Sequence, residues 1–177
     1  MKITTLALAL ATFAIACSAP SPESLGTSPQ QASAADPSRI EGTFRFELDA
    51  SDVAKAVKEE CAKENGSDTS KVDACYGRVA TQAKREKIRF AKDKTGRMVW
   101  SSFGVDGDKE ETFLEVAVDL KSDGPSHVLA TMTGKATGFQ AAKMEKSERK
   151  AMRVEIIDER TIAMTDPKKG RLVYTKE

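Results

Sequence analysis

The chain has 177 residues, with 28 Lys+Arg against 27 Asp+Glu and a formal net charge of +1. That balance argues against a general nucleic-acid binder, which needs a basic excess to displace counterions from phosphates. Hydrophobic residues at 40% and aromatic residues at 6% fit one domain with a modest soluble core rather than a membrane-embedded one.

In chain order, residues 1–16 read as a secretory signal. Met1-Lys2 is a short positive start, and Ile3 to Ala16 is apolar but too short to span a bilayer as a helix. Small residues, Ala14 and Ala16, stand at −3 and −1 before Cys17. Ala14-Ile15-Ala16-Cys17 resembles a bacterial lipobox, with Ala where Leu is usual at −3. The resemblance implies that Cys17 becomes the acylated N-terminus. The alternative is ordinary signal-peptidase cleavage at the same bond, which leaves a free cysteine. More than one acyl chain, at about 0.8 kcal/mol per buried methylene, gives stable anchoring. By the same resemblance, Ser18 at +2 implies an outer-membrane destination facing the periplasm.

Residues 17–40 then read as the lipidated N-terminus and a tether. Pro20, Pro22, Pro29 and Pro37 oppose regular structure, and there is little to bury. The folded domain is expected over 41–177. Gly42–Leu48 alternates, with Phe44, Phe46 and Leu48 on one face, as in a half-buried strand. Residues 51–86 read as a helical hairpin. Asp49 or Ser51 caps the first helix, whose stripe is Val53, Val57 and Cys61, and Asn65-Gly66 ends it. Ser70 with Asp73 opens the second, whose stripe is Val72, Cys75, Tyr76, Val79 and Ala83.

From Glu86 onward the period is two. Strands are expected around Ile88 and Phe90, Met98 and Trp100, Leu114 to Leu120, Ser126 to Thr133, Met152 to Ile156, Ile162 and Met164, and Leu172 to Thr175. Turns at Asp93–Gly96, Asp106–Asp108, Ser122–Pro125, Asp158–Arg160 and Asp166–Gly170 separate most of them. Residues 134–149 fit either a short exposed helix or a polar excursion. Short connections favour antiparallel neighbours. Thus the fold class is mainly β: an up-and-down meander of about eight strands, closed into a barrel or strongly curved, with the helical hairpin inserted after the first strand.

Three cysteines leave one over in an oxidising compartment. With Cys17 lipidated, Cys61 and Cys75 remain as a pair, on the inner faces of neighbouring helices. A structural disulfide there closes a loop of about 15 residues, worth roughly 3 kcal/mol. A redox role would favour a tight Cys-x-x-Cys, which is absent. The single histidine, His127, has no second histidine to form a metal or catalytic set, and no nucleophile elbow or phosphate loop occurs. No catalytic residue, metal or cofactor is therefore expected. The mixed-charge run Lys143–Arg153 reads as a solvated face.

Strand, helix pair, then meander resembles the order of calycin-type binders, above all the fatty-acid-binding proteins, in which two helices after the first strand lid a barrel. Residues 161–174 resemble the closing hairpin of small lipocalin-like bacterial lipoproteins. These resemblances imply a non-enzymatic envelope lipoprotein holding a hydrophobic small molecule or lipid between sheet and helices. Phe44, Phe46, Val53, Val57, Tyr76 and Trp100 are the candidate lining residues. The alternative is a protein-interaction module, either an envelope assembly factor or an inhibitor of a secreted enzyme. The membrane, through the N-terminal lipid, is the other expected partner.

Overall fold

The computed structural model describes residues 33–145 and 151–177. The expected signal segment, Cys17 and most of the expected tether lie outside them, as does part of the Lys143–Arg153 run. The folded unit begins earlier than residue 41. A 3-10 turn over Pro37–Ile40 is capped by Asp36, whose carboxylate accepts from the Ser38 N–H. Ile40 is wholly buried and Ala35 nearly so, and the Ala35 N–H donates to the Gly124 carbonyl at 2.8 Å. The tether therefore ends before Ala35. A few apolar atoms in a proline-rich context suffice to dock its last residues on the barrel.

Eight antiparallel strands close into a barrel in sequence order. They are β1 (Gly42–Phe46), β2 (Glu86–Lys92), β3 (Met98–Asp106), β4 (Lys109–Ser122), β5 (His127–Met132), β6 (Ala151–Ile156), β7 (Thr161–Asp166) and β8 (Gly170–Lys176). Closure comes from β1 against β8, in the register Phe44↔Lys176, Arg45↔Thr175 and Phe46↔Tyr174. Closure removes the sheet edges that an open meander would expose. The alternation read from sequence places Phe44, Phe90, Val116, Val118, Val128, Val154 and Ile162 in the buried core.

Between β1 and β2 run α1 (Val53–Asn65) and α2 (Thr69–Ala83), joined by the Cys61–Cys75 disulfide with Cα atoms 5.7 Å apart. Gly66 closes α1, its N–H donating to the Ala62 carbonyl. The cap of α2 is Asp68, which accepts from the Lys71 N–H, rather than the expected Ser70 with Asp73. Asp68 sits at the non-helical cap position two residues earlier, and a carboxylate caps as well as a hydroxyl. Neither Asp49 nor Ser51 caps α1. Asp52 stands at that position and makes no side-chain cap.

Asp52 and Ser51 instead fasten the start of α1 to β8. The Ser51 hydroxyl donates to the Glu47 carbonyl at 2.7 Å and accepts from the Val173 N–H at 2.8 Å. Asp52 Oδ2 accepts from the Arg171 N–H at 2.7 Å, and the Asp52 N–H donates to the Arg171 carbonyl at 2.9 Å. Gly170 makes room for this clasp, since a Cβ there would stand 2.6 Å from Asp52 Oδ2.

The segment 133–140, ambiguous in sequence, crosses back along β4. The Thr133 N–H donates to the Ala117 carbonyl, Thr137 and Glu115 exchange both backbone bonds, and the Gln140 N–H donates to the Phe113 carbonyl. It leads into α3 (Ala141–Glu145). The segment thus satisfies the half of β4 that β5 is too short to reach.

Candidate functional site

Antiparallel order places the two ends of the barrel in different environments. One end gathers the β2–β3, β4–β5 and β6–β7 turns, with the Ile40 segment packed there. The other gathers the end of β1, the start of β2 and the β7–β8 turn, together with both helices. A cavity of about 760 Å³ lies at this second end, between the helix pair and the strand ends. That volume falls within the range of small-molecule sites.

Its walls are built from strand and helix periodicity. From the helices come Val53 and Val57, one turn apart on α1, and Val79 and Ala83, one turn apart on α2. The barrel contributes Phe46, Trp100, Leu172 and Tyr174. A register shift between Ser102 and Phe103 skips Phe113 in the β3–β4 ladder, and Phe113 joins the lining. Opposite it stands Gly104, where a Cβ would lie 2.6 Å from the Phe113 ring.

Four of the chain's six methionines, Met132, Met144, Met152 and Met164, also line the cavity. The ladders Ala130↔Met152 and Val154↔Met164 place Met132, Met152 and Met164 as diagonal neighbours on three successive strands. Unbranched thioethers of this kind adapt to irregular apolar shapes. The charged groups at the cavity are Glu60, Glu86 and Asp166 against Arg153 and Lys169. Arg153 donates to Asp123 at 2.6 Å.

Four of the six expected lining residues are there: Phe46, Val53, Val57 and Trp100. Phe44 and Tyr76 are not. Phe44 is 1% exposed and packed within the core. Alternation fixes which way a side chain points but not how far along the barrel it stands. Tyr76 fastens rather than lines. Its hydroxyl donates to Asp49 Oδ1, tying α2 to the loop before α1, and Lys58 Nζ stands 4.8 Å from its ring centre. Burial, and next the Asp49 carboxylate, push the Tyr76 phenol up to about 12. Burial, with help from Glu86 and Asp166, raises the Tyr174 phenol as well, so the cavity wall presents it as a neutral hydroxyl.

Sequence reasoning overlooked the methionines, Phe113 and Tyr174. The methionines left a signal: three of them fall on the inward phase of strands near one end of the barrel. Trp100 carries the site's most unusual atom. The residue is 7% exposed, and its Nε1 is buried with no acceptor supplied by the described residues.

His127 lies half-buried on β5, its Nδ1 3.1 Å from the Ser126 hydroxyl. Among the described residues no three His, Cys, Asp or Glu side chains gather as a metal site, and no helix is long and apolar enough to cross a membrane. Comparison with known proteins finds no matching family model, no matching curated protein and no matching solved structure.

Proposed function

We propose that this protein is a non-enzymatic envelope lipoprotein that binds a hydrophobic small molecule or lipid between the barrel and the helix pair. The observation that carries the reading is the cavity itself. A space of about 760 Å³ lies under two helices whose inward valines face it, and adaptable methionines line the barrel side. The space opens partly to solvent, which gives a ligand a way in, and many of its lining side chains are apolar. Burying apolar ligand surface at roughly 25 cal/mol per Å² would supply the affinity. Anchoring through Cys17 would hold the site at the membrane surface, where such ligands concentrate.

Titration with an environment-sensitive apolar fluorophore tests the reading. Saturable binding with one site per chain is expected. Val57→Trp, which adds bulk to the helix side of the cavity, abolishes it while leaving the melting temperature within a few degrees. Phe44→Ala, a core truncation, costs about 3–5 kcal/mol of stability and leaves the fluorophore's affinity unchanged. An affinity that Val57→Trp does not alter would contradict the assignment.

A further inference from the structure

A buried, unpartnered donor on a residue that lines the cavity narrows the ligand's chemistry. A tryptophan N–H is a donor only, and buried donors in folded proteins are almost always paired. Trp100 lines the cavity, yet its Nε1 is covered and the described residues offer it no acceptor. Leaving such a group unpaired costs free energy that an incoming acceptor recovers. The side chains bordering the cavity include four methionines, whose rotamers can yield to admit an oxygen atom.

The charge at the cavity limits what kind of oxygen can enter. Three carboxylates, Glu60, Glu86 and Asp166, face two cations, and one of these, Arg153, is already bonded to Asp123. Carboxylates thus outnumber cations in the lining, and an anion buried without a cationic partner is strongly disfavoured.

We infer that the cavity takes a neutral carbonyl-bearing amphiphile, its chain among the methionines and valines and its carbonyl oxygen accepting from the Trp100 indole N–H. This rests on the binding function proposed above. An acyl-lipid ester and a ketone or quinone share that chemistry.

The chain contains one tryptophan, so a ¹⁵N-labelled sample gives one indole N–H resonance. The protein, stripped of bound lipid, is titrated with dodecane, 2-dodecanone, methyl undecanoate and dodecanoate while the indole and the methionine methyl resonances are followed. The neutral carbonyl compounds move the indole proton downfield and bind about tenfold more tightly than dodecane. Dodecanoate binds more weakly than either. A tighter ester points to an acyl lipid, and a tighter ketone to a quinone-like compound. In Trp100→Phe the preference for a carbonyl disappears while dodecane still binds.

If the methionine methyls respond to the ketone and the indole does not, the carbonyl inference fails and the binding function stands; an ordered water would then be the indole's partner. Tighter binding of dodecanoate than of the ketone also overturns the inference. If neither set of resonances responds to any compound, the binding function fails with it.

Discussion

Gly138 shows how a single position governs the wall of the site. Its φ is +93°, and a Cβ there would lie 2.6 Å from the Phe113 carbonyl oxygen and 2.9 Å from the carbonyl carbon. Backbone cannot yield as a flexible side chain does. Gly138→Ala should therefore cost about 2–4 kcal/mol in urea unfolding, from the unfavourable φ and the clash together. A loss below about 0.5 kcal/mol would mean that the 133–140 segment does not pack on β4 as described. Tyr76 offers a second test. Its phenol is raised from 10.0 to about 12 because burial and the Asp49 carboxylate favour the neutral form. The link to Asp49 is therefore complete below pH 10 and lost as pH rises through about 12. The only other tyrosine, Tyr174, is also raised. Spectroscopic titration should show little phenolate at pH 10 in the folded protein; half-ionisation of either tyrosine there would refute this account. These residue-level features were mostly hidden in the sequence. A glycine's clash and a tyrosine's partner depend on what folding brings near, and Asp49 lies 27 positions from Tyr76.

Among the elements, the helix pair is the part whose attachment can be tuned. It is held internally by Cys61–Cys75, at its start by the Ser51–Asp52 clasp on β8, and at its side by Tyr76 with Asp49. Reducing the disulfide should remove roughly 3 kcal/mol, the loop-closure contribution of a loop of about 15 residues. At about 2–4 °C per kcal/mol this lowers the melting temperature by about 6–12 °C. Hydrogen exchange should quicken in α1 and α2 before it does in the strands. Equal acceleration everywhere would show that the helices and barrel form one cooperative unit. The existence and pairing of the helices were legible in the sequence because stripes at i, i+4 and two inward cysteines are local signals. Their clasp on β8 was not. It joins residues 119 and 122 positions apart, and one of its two side chains, Ser51, reads from sequence as a helix cap.

For the whole molecule, the eight-strand closed barrel was legible because period-two alternation and short turns recur through the second half of the chain. Closure makes the arrangement self-consistent, with the first strand paired to the last. The cavity was legible only in part. Alternation selected the inward face and so found Phe46 and Trp100, but depth along the barrel separates Phe44 in the packed core from the lining. The start of the fold was also misplaced, because Ala35 and Ile40 bury themselves within a stretch whose composition reads as tether. The space beneath the helices is proposed to bind an apolar molecule. Native mass spectrometry of the protein purified from its native cells tests this binding most directly. A one-to-one complex carrying an extra lipid-sized mass, lost in Val57→Trp, is the expected result. The polypeptide mass with no added ligand, or a stoichiometric protein partner in its place, would contradict it.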